Sequence, residues 1–435
     1  MSIENVAQAK AQIAETSAYK TLAAFFDEGS FTGIATLAKS EDTYAEVVAG
    51  MGDVNGEKVI AFAQNPEFCG GAMSKAQAKK LTKIYDLAMK TGTPVVGFYN
   101  SKGGRLSEGN ALLAGFGDIL NASAKLSGVV PQISVILGDC IGTGALNAVS
   151  ADFVIATKDA RLSLDTTGKN CYTAYNAANG IVNITADDEN DAIVKAQELL
   201  DYLPSCNLEA VVPFEGDVSG EGECLVCRSI DNGSSYKLNR DFGKNARTAF
   251  AAYDGEIVGL VNTLGGELTA DDASKIAKHV RFCDAFSIPV ITYVNTDGFE
   301  DIRSAAKVTS AYAEATTVKI SVVTGTAVGA AYIALAGTGA NADAVYALPE
   351  AVISPVNPEA AALISIPEKL NVPVSEQAAV VEQYKRDELS AEKAAENGYV
   401  DDIITEYELR DTIINTLSVL DGKRVKTIAK KHSTI

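Results

Sequence analysis

The chain has no tryptophan, and only two of its 435 residues are histidine, His279 and His432. A serine or cysteine nucleophile activated by histidine, or a His-rich metal centre, draws on residues that this composition barely supplies. No metal site is expected. His279 falls in a predicted helix beside Lys278 and Arg281, where a surface or ligand-salt role is expected rather than that of a base. Positive charge is also scarce: 37 Lys and Arg stand against 56 Asp and Glu, for a formal charge of −19. Such a chain is a poor partner for nucleic acid or for an anionic membrane surface. An anionic small ligand can bind only where clustered lysines or exposed backbone N–H groups override the global field. No apolar run approaches the roughly 18 residues of a spanning helix. The opening Met1-Ser2-Ile3-Glu4-Asn5 has no basic-then-apolar pattern, so no signal peptide is expected. Cysteines number seven, an odd count scattered over a long chain. Reduced thiols and a cytoplasmic location fit that usage. Cys224-Leu225-Val226-Cys227 is a lone CxxC without a second pair, read here as two strand cysteines in preference to a zinc or redox site.

What the chain has is an internal copy of itself. Val54-Asn55-Gly56-Glu57-Lys58-Val59-Ile60 answers to Tyr253-Asp254-Gly255-Glu256-Ile257-Val258-Gly259. Thr93-Pro94-Val95-Val96-Gly97-Phe98-Tyr99-Asn100 answers to Ile288-Pro289-Val290-Ile291-Thr292-Tyr293-Val294-Asn295. Ile133-Ser134-Val135 answers to Ile320-Ser321-Val322, and Ala151-Asp152-Phe153 to Ala342-Asp343-Ala344. The offsets run between 187 and 199 residues and drift only by loop-sized amounts. That is the mark of a duplicated domain, not of a short-period solenoid. Hydrophobic content of 47% is enough for two cores. The polar, glycine-rich stretch from Pro213 to Gly222 separates the halves, giving domains 1–222 and 223–435.

Each half follows one programme. Residues 5–28 read as a helix ahead of the first copy. Two strands then meet at Asn55-Gly56 or Asp254-Gly255, dipeptides that favour type I′ hairpin turns. The second strand runs into Gly70-Gly71 or Gly265-Gly266. A helix follows, capped by Ser74 in the first half and by a capping-box-like Thr269-Ala270-Asp271-Asp272 in the second. Apolar strands over 94–99 and 289–294, a second helix, strands over 132–137 and 319–324, and short strands over 152–156 and 343–348 complete each copy. Strands alternating with helices at this spacing predict an α/β fold with parallel pairing. The acidic stretch 375–425 reads as helical, packing across a domain or subunit surface.

Straight after the central strand of each copy comes a run of small residues. In the first it is Gly138-Asp139-Cys140-Ile141-Gly142-Thr143-Gly144-Ala145; in the second, Gly325-Thr326-Ala327-Val328-Gly329-Ala330-Ala331-Tyr332. Small side chains let a ligand approach the backbone. N–H groups at a helix start lack intrahelical acceptors and can hold a developing negative charge. The bland alternative is tight strand–helix packing. Two such runs at matching places, each paired with a Gly-Gly, favour function, and two similar sites facing one another suit a reaction with two similar partners. Lys75, Lys79, Lys80 and Arg105 are candidates to offset phosphate charge, against the simpler reading of a solvated helix face. Glu108 and Glu359 lie near the loops and read as structural. Tyr332 packs under a ligand or in the core.

Several stretches resemble one family. Phe62-Ala63-Gln64-Asn65-Pro66-Glu67-Phe68-Cys69-Gly70-Gly71-Ala72-Met73-Ser74 is similar to a hallmark of the carboxyltransferase subunits of biotin-dependent acyl-CoA carboxylases and decarboxylases, of propionyl-CoA carboxylase β, glutaconyl-CoA and methylmalonyl-CoA decarboxylase type. Ser101-Lys102-Gly103-Gly104-Arg105-Leu106-Ser107-Glu108-Gly109 resembles the family's SGGARIQEG. Gly128-Val129-Val130-Pro131-Gln132-Ile133-Ser134-Val135 resembles GVIPQISV, and Tyr202-Leu203-Pro204-Ser205-Cys206-Asn207-Leu208 resembles YLPSNNL. Val280-Arg281-Phe282-Cys283-Asp284-Ala285-Phe286, Ala311-Tyr312-Ala313-Glu314-Ala315-Thr316 and Ala394-Ala395-Glu396-Asn397-Gly398-Tyr399-Val400-Asp401 continue the match into the second half.

The resemblance implies two tandem crotonase-like domains, each a ββα spiral, the N-terminal one on the acyl-CoA side and the C-terminal one on the biotin side. It implies transfer of a carboxyl group between carrier-bound biotin and the α-carbon of a short acyl-CoA. Gly142, Thr143 and Gly144 would stabilise the thioester enolate, with Gly70, Gly71, Ala72, Lys75 and Arg105 around the substrate. Gly329, Ala330 and Ala331 would stabilise the ureido oxygen of biotin, with Gly265 and Gly266 beside them. No side-chain base is required if biotin takes the α-proton. The chain has neither a Met-Lys-Met biotin-attachment motif nor a GxxxxGK[ST] phosphate loop. Biotin would therefore arrive on a separate biotin carboxyl carrier protein, charged by a biotin carboxylase or serving a membrane decarboxylase subunit, and the chain would be a homo-oligomer. The chain departs from the family at Gly142-Thr143-Gly144, where Gly-Gly-Ala is usual, and after Asp165 and Phe299, where its loops are shorter. A biotin-independent crotonase-type decarboxylase or hydratase, which needs a side-chain acid or base such as Glu108, and a catalytically silent scaffold subunit are the alternatives.

Overall fold

The computed structural model describes residues 3–39, 43–165, 169–220 and 222–425. They form two compact units, one up to Val212 and one from Pro213. The first opens with two helices, Ile3–Ala14 and Ser17–Phe25. The single helix expected over 5–28 is interrupted because Thr16 turns extended and its hydroxyl caps the second helix by accepting the N–H of Tyr19.

An eight-stranded sheet follows. Its order is Thr32–Gly33, Val47–Val54, Glu57–Gln64, Val95–Ser101, Gln132–Ile141, Phe153–Thr157 and Ile184–Ala186, with Arg161–Ser163 paired to the far end of Gln132–Ile141. The first pairs are antiparallel and those from Glu57–Gln64 onward parallel. Asn55 and Gly56 take φ of 50° and 85°, as a type I′ turn requires. Helices Lys75–Thr91 and Ala111–Leu126 cross between the parallel strands. Their inner faces, Leu81, Ile84, Ala88, Phe116 and Ile119, join Ile60, Phe62 and Val95 in one core.

The second unit repeats this plan. Its sheet runs Tyr236–Leu238, Ala246–Tyr253, Glu256–Thr263, Val290–Thr296, Lys319–Val328, Ala344–Ala347 and Asp402–Ile403, with Val352–Ser354 paired to the end of Lys319–Val328. Register repeats as well: Val47 faces Gln64 where Ala246 faces Thr263. Both central pairings break register at the same place, between Tyr99 and Ser101 and between Val294 and Thr296. The short parallel pair Glu267–Leu268 with Gly298–Phe299 extends what is a single bridge, Met73 to Gly104, in the first unit.

Three expectations are corrected. The central strands do not stop at 137 and 324 but run on to Ile141 and Val328, because residues 139–141 and 326–328 gain Arg161–Ser163 and Val352–Ser354 as partners. The CxxC is not in a strand: Cys224 caps helix Leu225–Ser229 and is disulfide-bonded to Cys227, so these two thiols are not free. His279 is not at the surface but buried in helix Ala270–Ala285, its ring 5.2 Å from that of Phe250. The C-terminal stretch is helical as expected, over Val374–Glu388, Ala391–Glu396 and Leu409–Leu420. The last of these buries Leu409, Ile413 and Leu417 in the second unit's own core.

Candidate functional site

At the end of the first unit's central strand the backbone turns at Gly142, with φ 77°, into helix Thr143–Val149. The N–H of Gly142 is already committed to the carbonyl of Ser163 at 2.8 Å. The next two N–H groups, of Thr143 and Gly144, open the helix and so have no intrahelical acceptor. No described backbone carbonyl accepts from either. The second unit reproduces the arrangement. Gly329, at φ 50°, donates to the carbonyl of Ser354 at 2.8 Å, and Ala330 and Ala331 open helix Ala330–Leu335 with their N–H groups likewise unclaimed among the described residues. A Cβ on Gly329 would lie 2.9 Å from the carbonyl oxygen of Pro355. Gly142 and Gly329 therefore make the turn, and the residues after them present the donors.

The paired glycines lie against the neighbouring strands, Val95–Ser101 and Val290–Thr296. A Cβ at Gly71 would come within 2.0 Å of the Asn100 carbonyl oxygen, and Gly70 accepts the N–H of Lys102 at 3.0 Å. A Cβ at Gly103 would stand 3.3 Å from the Ile141 carbonyl oxygen, so this segment abuts the first small-residue turn. Gly71 and Ala72 spend their N–H groups on Phe68 and Cys69. In the second unit Gly265 donates to the carbonyl of Asn295 at 2.7 Å, and Gly266 accepts from Asp297.

Asn100 and Asn295 are duplicated residues that the motif reading did not single out. Each stands at the register break, with its side chain filling the space that the glycine opposite leaves. A Cβ on Gly138 would meet the Asn100 amide at 2.6 Å, and one on Gly325 the Asn295 amide at 2.4 Å. Asn295 Oδ1 also accepts the N–H of Thr326 at 3.1 Å. The signal was present: both asparagines end the aligned strand segments of the repeat.

The charged candidates separate into two groups. Lys75, Lys79 and Lys83 are exposed at four-residue spacing on helix Lys75–Thr91. With Lys39, Lys80, Glu108 and small alanines they line a cavity of about 810 Å³. Among the described residues no carboxylate pairs with Lys75, Lys79 or Lys83. Lys80 turns inward, donating to the Val47 carbonyl at 2.7 Å, and burial pushes its ammonium down to about 8 against the pull of Glu46. Arg105, expected among the substrate contacts, is buried instead: its guanidinium is 2.8 Å from Glu46 and lies over the Phe68 ring. Glu108 accepts the Lys75 backbone N–H at 2.7 Å, and Glu359 pairs with Lys385 at 3.3 Å. Tyr332 donates its hydroxyl to the Tyr399 carbonyl. Among the described residues, what each turn offers is backbone N–H. Among the described residues no group of His, Cys, Asp and Glu is arranged to hold a metal ion.

Two duplicated ββα units, each with a glycine turn at the end of its central strand, define a tandem fold of crotonase type. The chain belongs to the carboxyl transferase domain family, whose profile matches residues 14–435. It is 31% identical to the methylmalonyl-CoA decarboxylase subunit alpha of Veillonella parvula, over 96% of this chain and 92% of that one. It is 32% identical to the methylmalonyl-CoA carboxyltransferase 12S subunit of Propionibacterium freudenreichii subsp. shermanii, over 89% and 83%. The crystal structure of a transcarboxylase 12S hexamer with hydrolysed methylmalonyl-coenzyme A bound superposes with a TM-score of 0.92, at 30% identity over 99% of this chain and 98% of that one. The tandem crotonase-like carboxyltransferase fold expected from the sequence is the fold of this chain.

Proposed function

We propose that this chain transfers a carboxyl group between biotin on a separate carrier protein and the α-carbon of a short acyl-CoA. The observation that carries the proposal is the repeated turn. Thr143 and Gly144 in one unit, and Ala330 and Ala331 in the other, present unclaimed N–H groups at equivalent places, and the reaction develops negative charge on two oxygens in turn. Backbone donors fixed by a rigid strand stabilise such charge without reorganising.

The first unit takes the thioester on this reading, with residues 1–222 as the acyl-CoA domain. Its lysine-lined cavity is a local positive field on a chain of net charge −19, which suits the phosphates of coenzyme A. Thr143 and Gly144 then donate to the thioester oxygen as the enolate forms, and the small residues Gly70, Gly71 and Ala72 leave room for the acyl chain. The second unit, 223–435, is the biotin domain. Its turn fits the ureido group: Gly329, Ala330 and Ala331 expose backbone where larger side chains would block it, with Gly265 and Gly266 nearby in the same unit. When bound, biotin supplies and accepts the carboxyl group; the chain supplies the donors and holds the partners. Glu108 accepts the Lys75 N–H, and on this reading no side chain acts as general base. The working assembly would be an oligomer with a biotin carboxyl carrier protein and either a biotin carboxylase or a membrane decarboxylase subunit.

The test is calorimetric titration of the purified chain with acetyl-, propionyl-, malonyl- and methylmalonyl-CoA, and with the matching dephospho-CoA thioesters. Binding weakened by loss of the 3′-phosphate supports the lysine cleft as the coenzyme A site. No binding of any thioester would remove the acyl-CoA assignment.

A further inference from the structure

The buried ion pair between Glu46 and Arg105 is unexpected. Both side chains are about 5% exposed or less, at 5% for Arg105 and 4% for Glu46. Taking two charges out of water costs most of what their attraction returns, so a buried pair is weak evidence of stabilisation. What this pair does is join four segments. Glu46 stands just before strand Val47–Val54, and its backbone carbonyl accepts the N–H of Asn65 at the end of the next strand. Its carboxylate accepts Ser74 Oγ at 2.6 Å, the cap of helix Lys75–Thr91, and meets the Arg105 guanidinium at 2.8 Å. That guanidinium lies 4.8 Å from the centre of the Phe68 ring, and Phe68 accepts the N–H of Gly71. The Arg105 backbone donates to Met73, and Met73 in turn donates to Gly103 at 2.8 Å. Gly103 abuts Ile141, next to the turn that presents Thr143 and Gly144.

The duplication supplies an internal control. Asn245 occupies the place of Glu46, directly before the first hairpin strand, and Glu300 the place of Arg105. The backbone link is kept, since Glu300 N–H donates to Leu268 at 3.0 Å where Arg105 donates to Met73 at 2.9 Å. The lysine is kept too: Lys275 Nζ reaches the Ala246 carbonyl at 2.8 Å, as Lys80 reaches Val47. The ion pair is not kept. Asp272 fastens the junction instead, accepting the N–H groups of Asn245, Ala246 and Thr269, each at 3.0 Å. Glu300 is exposed. This junction therefore closes in the second unit without a guanidinium–carboxylate pair, although that unit pairs Arg410 with Asp231 elsewhere; closure of the junction alone does not require the pair that the first unit carries.

We infer that Glu46 and Arg105 are positioning residues for the thioester half of the reaction: the pair clamps the Phe68–Gly71 turn to the Gly103–Arg105 segment and so fixes the walls around the Thr143–Gly144 donors. This rests on the reading of the first unit as the acyl-CoA domain. The test compares wild type, Glu46→Gln, Arg105→Met and the double variant Glu46→Leu/Arg105→Met, each as the full chain. Melting temperature is measured with kcat and KM for biotin-dependent decarboxylation of malonyl-CoA and methylmalonyl-CoA. Either single variant leaves one polar partner stranded and lowers the melting temperature. The double variant replaces the pair with apolar groups and should recover most of that loss. A positioning role predicts that kcat of the double variant stays down by about 10²-fold, the cost of a misplaced catalytic group, while KM for the thioester moves little. A double variant that recovers both melting temperature and kcat would overturn the inference and leave the pair a structural tie. Wild type without any biotin-dependent turnover would overturn the functional reading itself, and the inference with it.

Discussion

At the scale of single residues, the proposed chemistry lies with backbone N–H groups, so the informative substitution is one that removes an N–H at a place where proline fits the helix start. Thr143 and Ala330 are the first residues of their helices, a position where proline is tolerated because its N–H has no helical partner. Thr143→Pro and Ala330→Pro should each lower kcat by about 10²- to 10³-fold, the usual cost of losing one oxyanion donor, with little change in melting temperature. Steady-state kinetics beside thermal unfolding checks this; full activity in either variant would mean that the donors lie elsewhere. Much at this scale was readable in the sequence. The two small-residue turns could be found because they repeat. Their division of labour could not: nothing in Gly142-Thr143-Gly144 says that the first N–H is spent on Ser163, a residue of a three-residue strand too short for any periodicity. Arg105 looked like a phosphate ligand because a basic residue in a glycine-rich loop often is one, and Glu46, its partner, lies outside every motif.

At the scale of elements, one face of helix Lys75–Thr91 carries the proposed phosphate contacts. Lys75, Lys79 and Lys83 are exposed and share the cavity, whereas Lys80 serves the fold. Changing the first three to glutamine together should raise KM for the acyl-CoA by about tenfold or more while leaving kcat nearly unchanged, since phosphate attraction acts equally on ground and transition states. Raising salt to about 0.5 M should weaken wild-type binding in the same direction, because exposed charges are screened, and should affect the triple variant less. An unchanged KM in that variant would place coenzyme A elsewhere. Lys80→Gln should instead lower stability. The elements themselves were legible where their chemistry is local: Asn55-Gly56 and Asp254-Gly255 dictate hairpin turns, and Ser74 and Thr269 dictate helix starts. The long central strands were not, because their last residues pair with segments some twenty residues away in the chain. The CxxC was misread as strand because its helix is only five residues long, less than two turns of pattern.

At the scale of the whole molecule, each turn depends on the core of its own unit, and His279 reports on the second. Burial pushes its imidazole down to about 4 from an ordinary value near 6.5. The fold thus favours the neutral ring. Above about pH 6.5 the ring is neutral folded or unfolded and costs nothing; as pH falls from 6.5 toward 4 the unfolded chain takes up the proton first, and stability drops by up to about 3 kcal/mol. Denaturant unfolding of wild type and His279→Phe at pH 7 and pH 4.5 should show a larger acid loss in wild type, and equal losses would contradict it. The burial was foreshadowed by spacing, three residues after Ile276 and four before Cys283, but masked by Lys278 and Arg281. The duplication was the most legible feature of all, since a repeat needs no propensity to be seen. The claim that the repeat serves two oxyanions of one carboxyl transfer is tested most directly by decarboxylation of malonyl-CoA and methylmalonyl-CoA by the purified chain, with and without biotin. Turnover should require biotin and fall by about 10²- to 10³-fold in both Thr143→Pro and Ala330→Pro. Turnover that ignores biotin and survives Ala330→Pro would contradict it.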